Sequence, residues 1–335
     1  MFISLLAVTA LGVIAWLGTQ MGLQFVFAAC LPYTAVLVFL IGFAWRIMDW
    51  ARRPVPFRIP TTGGQQKSLP WIKPAPLDNP SDSKGVVIRM ILEVLLFRSL
   101  FRNTKMTIEN GSRVVYWSNK FLWLFALAFH YCFLVIFIRH FRFFLEPVPF
   151  IISGVETLDG ILQIGVPRLF MTDALVVLAL VYLLGRRLFD QRIRYISLVN
   201  DYFPLCLLLG LVGSGISMRY FTKVDVASVK TFTMSLVHLR PDTAVLANIG
   251  TPFYIHMFFL SILLAYFPFS KLMHMGGVFL SPTRNLPNDS RAKRHINPWN
   301  PPKEYRTYAE YEDEFRDAMY EAGLPVEKLP EDAEE

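Results

Sequence analysis

Cysteine is scarce in this sequence, and the few cysteines are not arranged for chemistry. Only three of the 335 residues are cysteine, and Cys30, Cys132 and Cys206 each lie inside an apolar stretch. The sequence contains no C-x-x-C pair and no C-x-x-C-H haem-attachment motif. A cysteine-ligated iron–sulfur cluster, a cysteine-based structural zinc site and a covalently attached c-type haem are therefore excluded within this chain. We interpret the three cysteines as small buried hydrophobic residues.

Charged residues are also scarce, whereas long apolar runs are abundant. Charged residues make up 18% of the chain and hydrophobic residues 54%, against about 25% and about 45–50% in an average soluble domain. A membrane-spanning helix needs about 20 predominantly apolar residues. Six runs approach that length, at about 3–18, 23–46, 121–145, 169–186, 203–219 and 252–275. The sequence therefore predicts an all-α integral membrane protein with about six transmembrane helices, and it excludes a soluble enzyme.

The first apolar run is short enough to resemble a signal peptide. It has no basic n-region and no small-residue cleavage site, so we predict a membrane span there instead.

The basic residues indicate how the helices cross the membrane. The net charge is +7, and arginine and lysine concentrate between the second and third spans and after the fourth. The loop after the third span is mainly acidic, with Glu146, Glu156 and Asp159 against Arg168. Because cytoplasmic loops are enriched in Lys and Arg, we predict that both termini are cytoplasmic in a prokaryotic cytoplasmic membrane.

Changes of composition along the chain predict four segments. Residues 1–46 form an N-terminal transmembrane hairpin, and residues 47–118 form a cytoplasmic connector that contains an interfacial amphipathic helix, GVVIRMILEVLLFRSLF. Residues 119–275 form a four-helix domain. Residues 276–335 are proline-rich and basic at first and acidic later, which favours a cytoplasmic tail that docks to a partner. An ordered, solvated tail is the alternative.

Four histidines lie near the ends of two apolar runs. His130 and His140 are in the third run, and His256 and His274 are in the last. A histidine inside a hydrocarbon-facing helix is costly and is by default a functional residue. Two antiparallel helices bring His130 level with His274 and His140 level with His256. Since imidazole binds iron and facing helices hold cofactors in bundle cores, the sequence predicts two b-type haems, each ligated by one such pair.

The spacing of the histidines requires a distortion in the last helix. Ten residues separate His130 from His140, or about 15 Å of helix, and eighteen separate His256 from His274, or about 27 Å. Pro268 lies between the latter two and predicts a kink that shortens their separation.

Haem propionates are anionic, so basic residues near the membrane faces are candidate partners. The candidates near the outer haem are Arg139, Arg142, Arg168 and Arg219. Near the inner haem they are Lys120 and Lys271. An interfacial residue whose charge reaches out to water is the alternative for each of them. His238, in an outer loop, is a candidate proton relay.

The histidine offsets of ten and eighteen residues on antiparallel spans resemble the gamma subunit family of respiratory nitrate reductase, over about 119–275. With the N-terminal hairpin, the connector and the INPWNPPKEY tail, the whole chain resembles the DsrM family, the cytochrome b subunits of the sulfite-reduction-associated DsrMKJOP complex. The resemblance implies two haem b groups, menaquinone as the substrate, and a cytoplasmic iron–sulfur partner similar to heterodisulfide reductase. It also implies further membrane and periplasmic subunits.

The same resemblance implies a quinol site beside the outer haem, with a basic residue assisting. By location, Arg168 and Arg142 are the candidate basic residues, and Glu146 and Asp173 are the candidate proton acceptors. Carboxylates near a poorly hydrated pocket suit proton transfer. Ordinary structural roles are the alternative for all four.

Two other functions remain open from the sequence. The first is a dihaem subunit of another transmembrane redox complex, of the nitrate reductase type or linked to a periplasmic multihaem cytochrome. The second is a transporter or scaffold without haem, in which the histidines are core residues.

Overall fold

The computed structural model describes residues 1–55, 58, 64–160, 168–291 and 304–330. The regular secondary structure of the described chain is helical, apart from one short hairpin. The helices are α1 (Phe2–Gln20), α2 (Leu31–Ala51), α3 (Ser83–Leu96), α4 (Arg98–Phe101), α5 (Lys120–His140), α6 (Phe150–Asp159), α7 (Met171–Phe189), α8 (Gln191–Ile196), α9 (Val199–Ile216), α10 (Val226–Val237), α11 (Thr251–Tyr266), α12 (His274–Gly277) and α13 (Tyr308–Glu321). The strands are β1 (Thr104–Glu109) and β2 (Arg113–Ser118).

Five of the described helices are long and apolar enough to cross a membrane. With the adjoining 3₁₀ or π turns included, these helices cover Phe2–Gln20, Val26–Ala51, Lys120–Phe143, Val199–Phe221 and Thr251–Phe269. The prediction of an all-α membrane protein is confirmed.

The sixth predicted span, α7, has the length but not the purely apolar composition. It has 19 residues, with Asp173 in its first turn and Arg186 and Arg187 in its last. At one end Asp173 contacts Arg139, the penultimate residue of α5. Toward the other end Tyr182 stacks on Phe125 in the second turn of α5, with ring centres 4.0 Å apart. Helix α7 therefore lies antiparallel along most of α5.

The long helices form a bundle with two apolar cores. In the bundle, α7 packs between α5 and α9, whereas α11 packs against α9, α1 and α2. One core, between α5, α7, α9 and α11, includes the fully buried Val176, Leu180 and Leu207. The other joins α11 to α1 and α10 and includes Phe232 and Tyr254. The N-terminal hairpin is thus packed against the histidine-bearing helix α11.

The last span is broken rather than simply kinked. Helix α11 ends at Tyr266, Pro268 lies in a single 3₁₀ turn, and Ser270 is extended. A second 3₁₀ turn then leads into α12, which begins at His274. The predicted single helix with a kink at Pro268 is therefore wrong in form. Because a proline removes a backbone donor and excludes the preceding turn, the chain restarts after it.

Helix α3 turns its charged residues toward the protein. Asp82 caps its start by accepting the Gly85 N–H at 2.7 Å. Within α3, the buried Arg89 donates to the Thr283 carbonyl at 3.0 Å. The buried Glu93 of the same helix pairs with Arg284 at 3.0 Å. Burial is also the main reason that the pKa of Arg89 is lowered.

Helix α3 also exposes six large apolar side chains. They are Val87, Ile88, Ile91, Val94, Leu95 and Leu96. The structure has a helix in the predicted segment, and its exposed apolar side chains suit the hydrocarbon boundary. Its position at the membrane interface stays a prediction.

A hairpin that we did not predict follows α4. Strands β1 and β2 pair in antiparallel register from Thr104 opposite Ser118 to Glu109 opposite Arg113. Asn110 and Gly111 both have positive φ, at 51° and 84°. Because Glu109 pairs with Arg113, the turn has three residues, Asn110, Gly111 and Ser112, and Asn and Gly are the residues that adopt left-handed backbone in such turns most readily.

The chain divides into two compact units, Met1–Ala292 and Lys293–Glu335. Residues up to 291 belong to the membrane unit, where Asn288 donates its N–H to the Pro80 carbonyl at 2.7 Å. In the second unit α13 begins with a capping box, in which Thr307 accepts the Glu310 N–H and Glu310 accepts the Thr307 N–H.

Candidate haem site

The structure brings the four histidines together in the two pairs expected from antiparallel helices. The ring centres of His140 and His256 are 6.3 Å apart, and the two rings are nearly parallel, at 9°. Those of His130 and His274 are 5.9 Å apart, and these rings are nearly perpendicular, at 79°. Each pair joins one residue of α5 to one residue of the last span. The break after α11 allows both pairs to form at once.

Hydrogen bonds determine which ring nitrogen of each histidine carries a proton. Nδ1 of His130 lies 2.7 Å from the Ala126 carbonyl oxygen, and Nδ1 of His140 lies 2.6 Å from that of Ile136. Nδ1 of His274 lies 2.8 Å from the Lys271 carbonyl oxygen. A carbonyl can only accept, so Nδ1 must donate in all three. The lone pair of each neutral ring is then on Nε2, as metal ligation by Nε2 requires.

His256 reaches the same state through a side chain. Its Nδ1 lies 2.9 Å from Oγ of Ser214, and the Ser214 hydroxyl donates to the Leu211 carbonyl at 2.8 Å. The Ser214 oxygen is therefore left to accept from Nδ1. Gly215 of α9 lies beside this ring, since a Cβ there would be 3.4 Å from Cε1 of His256, in van der Waals contact. Neither Ser214 nor Gly215 was predicted from the sequence as a neighbour of a histidine.

The histidine rings are not packed into the apolar core. His130, His140 and His274 are exposed, and His256 is half-buried. Helices α5 and α11 pack on other helices and not along each other. Among the described residues no three His, Cys, Asp or Glu side chains gather as a protein-only metal site would require. Two facing imidazoles would be enough to hold a haem, and the described residues contain two such pairs.

A buried ionic network lies next to His140. Arg139 pairs with Asp159 at 3.2 Å and with Asp173 at 2.7 Å. Thr172 donates its N–H and its hydroxyl to Asp159, and the Tyr220 hydroxyl donates to Asp173 at 2.8 Å. The Arg139 side chain is 8% exposed, so removing it would leave buried carboxylates without their counter-charge.

Two arginines enclose the ring of Phe170. The guanidinium carbons of Arg139 and Arg219 lie 3.8 and 3.9 Å from its centre. Arg219 also donates to the Arg168 carbonyl at 2.9 Å, and the Phe170 N–H donates to Tyr220. Both arginines were predicted as propionate partners, and the structure places them close together in this network near the outer pair.

The remaining outer candidates lie on the surface around the network. Arg142 pairs with Glu156, and Glu146 pairs with Lys230. The Arg168 side chain lies against Gly160, where a Cβ would clash with it. His238 donates from Nδ1 to the Met234 carbonyl and belongs to neither histidine pair.

The comparison with known protein families agrees with the pairing of the four histidines. Residues 86–287 match the family model of the nitrate reductase gamma subunit. The chain belongs to the nitrate reductase gamma subunit family. The resemblance inferred from the histidine offsets is thus confirmed, and the chain is a cytochrome b of this type.

Three relatives extend the comparison. The "Hdr-like menaquinol oxidoreductase cytochrome b-like subunit" of Archaeoglobus fulgidus is 47% identical over 82% of this chain and 84% of its own length. The protein of the same description from Archaeoglobus profundus is 46% identical over 81% and 82%. The nitrate reductase gamma chain of Bacillus subtilis is 32% identical over 32% of this chain and 49% of its own length.

The family match does not include α1 and α2, which precede residue 86.

The two lysines predicted as propionate partners of the inner haem both have contacts within the protein. Lys271 pairs with Asp201 at 2.6 Å. Lys120 lies over the ring of Phe101, with Nζ 5.3 Å from its centre. The two predicted inner propionate partners therefore both have protein partners.

The end of α3 covers the inner histidine pair. Phe97 has a left-handed backbone, with φ 50°, and its ring meets His130 edge to face at 5.0 Å. Trp123 and Tyr131 of α5 donate to the carbonyls of Leu96 and Leu95 at 2.7 and 2.9 Å. Phe97 was missed, since no local pattern indicates that a phenylalanine ending a helix will contact a histidine 33 residues later.

Proposed function

We propose that this chain is a dihaem b membrane subunit that exchanges electrons between menaquinol or menaquinone and a cytoplasmic iron–sulfur subunit. The observation that carries the proposal is the double histidine pairing across α5 and the last span. His130 with His274 would hold the inner haem, and His140 with His256 the outer one.

The separation of the rings supports this assignment. Imidazole nitrogens bind first-row metals such as zinc at about 2.0–2.1 Å. The ring-centre separations of 5.9 and 6.3 Å would leave room for one metal ion between the two imidazoles of each pair. The haem iron, when bound, would accept and release one electron at a time.

The chain's own residues set the conditions for that chemistry. The Nδ1 acceptors fix each ring's orientation and raise the basicity of Nε2. Phe97 covers His130 on the side of the connector. Arg219 places positive charge near the outer pair, whereas the charge of Arg139 is already balanced by Asp159 and Asp173. At the inner end Lys120 would stabilise propionates, and Lys271 would do so while it also pairs with Asp201.

We place the quinol site beside the outer pair. Arg168 and Arg142 would orient the quinol, and Glu146 or Asp173 would accept its proton. Glu146 is the more accessible acceptor, because its side chain is 61% exposed whereas Asp173 is held by Arg139 and Tyr220. Asp173 is suited to hold Arg139 in position.

The relatives' names support the substrate and the kind of complex. Both archaeal relatives are described as subunits of an Hdr-like menaquinol oxidoreductase. We therefore propose menaquinone as the substrate and a heterodisulfide-reductase-like partner. We also propose that the complex is of the DsrMKJOP type and serves sulfate respiration. The connector at 47–118 and the tail at 276–335 would be cytoplasmic and would meet the partner.

The decisive test is haem quantitation on the purified full-length chain. We expect a reduced-minus-oxidised b-type spectrum and two haems per chain. His140→Ala or His256→Ala should remove the outer haem, and His130→Ala or His274→Ala the inner one, each leaving about half of the absorbance. A colourless protein would overturn the proposal and favour a transporter or scaffold.

His238→Ala is the matched control. It removes a histidine whose Nδ1 also donates to a carbonyl four residues earlier, but which has no facing imidazole. Two haems should remain in this variant. Two haems remaining in any of the four paired variants would refute the pairing.

The quinol site has its own test. Arg168→Ala should raise the apparent KM for a soluble menaquinol analogue, with haem content unchanged, whereas Arg240→Ala in the outer loop should leave KM as it is. An unaltered KM in Arg168→Ala removes Arg168 from the site. A dihaem subunit of another redox complex is the second candidate, and the identity of the co-purifying subunit decides between the two.

A further inference from the structure

A cavity and an adjoining groove lie at the basic end of the bundle, where α2 meets the break in the last span. A cavity of about 640 Å³ is lined by Arg46, Trp50, Lys271 and Arg284 and extends to His274. A groove of about 360 Å³ is lined by apolar residues that include Leu37, Ile41 and Trp45. Phe269 lines both.

The groove leads along α2 into the cavity. Gly42 lines the groove, and Arg46 and Trp50, four and eight residues later, line the cavity. Residues at this spacing share one face of a helix. The face is therefore apolar over its first part and cationic at its end. This pattern fits an amphiphile whose chain lies in the groove and whose head lies in the cavity.

The charge in the cavity is only partly compensated. Lys271 pairs with Asp201 and Arg284 pairs with Glu93. The Arg46 guanidinium lies over the Trp50 ring at 5.4 Å, and its buried Nε has no hydrogen-bond partner among the described residues. One positive charge remains available to an anion.

We infer that the cavity and groove together bind one acidic phospholipid, with its phosphate at Arg46 and an acyl chain along Leu37, Ile41 and Trp45. Basic pockets between transmembrane helices on the cytoplasmic side favour anionic headgroups. A quinone head is uncharged and would leave the Arg46 charge uncompensated. The pocket depends on α2, which lies outside the part of the chain that matches the gamma subunit family.

The inference rests on the membrane orientation in the proposed function, and it does not require the haems. It can be tested by native mass spectrometry of the full-length chain in detergent, titrated with phosphatidylglycerol or phosphatidylcholine of identical acyl chains. We expect one phosphatidylglycerol to bind roughly fivefold more tightly than phosphatidylcholine, because this is the affinity difference that one additional cation–anion contact provides. Arg46→Gln should reduce that preference to about one.

Matched variants test the contact with the lipid headgroup and the contact with the acyl chain separately. Arg52→Gln removes a charge from the same helix end outside the cavity and should keep the preference. Ile41→Trp fills the groove and should weaken binding of phosphatidylglycerol, whereas Leu40→Trp, on an exposed neighbouring position, should not. If Arg46→Gln does not fold, Ile41→Trp against Leu40→Trp still tests the site.

Several results would overturn the inference. Equal binding of the two lipids, or an unchanged preference in Arg46→Gln, would exclude a headgroup site. Displacement of phosphatidylglycerol by a menaquinone analogue at lower concentration would make it a quinone site. Loss of one haem in Arg46→Gln would assign the cavity to porphyrin carboxylates. A colourless chain that keeps its preference for phosphatidylglycerol would contradict only the haem proposal.

Discussion

The hydroxyl of Ser214 has two partners, which together determine its role. It donates to the Leu211 carbonyl, so its oxygen accepts the proton on Nδ1 of His256. The other three paired histidines use backbone carbonyls for this purpose. His256 is thus the one paired histidine whose Nδ1 partner a mutation can remove without altering the backbone.

We predict that Ser214→Ala raises the midpoint potential of the outer haem alone. Without its acceptor, Nδ1–H donates less electron density through the ring, and the oxidised iron is less stabilised. A rise of up to about 60 mV corresponds to a tenfold change for one electron. Spectroelectrochemical titration would measure it, with Ser153→Ala, a serine bonded only within α6, as the control. Equal shifts of both haems, or a fall, would contradict this role.

At this scale the sequence predicts which histidines pair better than it predicts the residues around them. Four histidines in apolar helices are costly and therefore informative, and their pairing follows from their offsets alone. The partners of Arg139 could not be found in this way. Asp159 and Asp173 lie 20 and 34 residues away on other helices. Their contact with Arg139 depends on how α5, α6 and α7 pack, which no local pattern specifies.

The helices themselves were largely predictable, whereas their interruptions were not. Apolar runs of about 20 residues identify spans because the bilayer sets their length. Pro268 indicated a distortion, but whether the chain bends or restarts depends on Ser270 and on the packing of Pro268 beside Gly42. The Asn110-Gly111 turn was a readable hairpin signal that we overlooked within a connector.

Helix α13 has a pH-dependent contact that can be tested by itself. Glu312 accepts the backbone N–H groups of Glu327 at 2.8 Å and Lys328 at 3.0 Å, and these bonds hold the pKa of its carboxyl below its usual range. A carboxyl whose pKa is lowered by folding stabilises the folded state above its unfolded pKa. That stability is lost as the pH falls through the folded pKa.

We predict that Glu312→Gln speeds hydrogen exchange of the peptide covering α13 at pH 7 and that the difference from the wild type disappears with acid. The difference should begin to shrink near the ordinary glutamate pKa of about 4.3. Comparing the two proteins at each pH cancels the intrinsic exchange rate. Glu321→Gln, at the end of the same helix, is the control. A difference that persists unchanged at pH 3 would refute the role of the charge.

The transmembrane topology of the whole molecule depends on whether α7 crosses the membrane. By composition, five helices of the described chain qualify as spans. Helix α7 has three charged residues, but these lie at its two ends, where they meet Arg139 on one side and the start of α9, through Arg187 and Asp201, on the other. Charges at the ends of a span lie at the membrane interfaces and do not prevent it from crossing.

We therefore predict six crossings, which put both ends of the chain on the same, cytoplasmic side. A green fluorescent protein fused to either end should fluoresce, since it folds only in the cytoplasm, and alkaline phosphatase fused to either end should be inactive. Alkaline phosphatase inserted after Lys223, between α9 and α10, should be active and serves as the control for an outer loop. If α7 does not cross, the two ends lie on opposite sides, and one phosphatase fusion becomes active. In that case the basic segment at 186–202 and the connector at 47–118 would face opposite sides of the membrane, against the distribution of Lys and Arg.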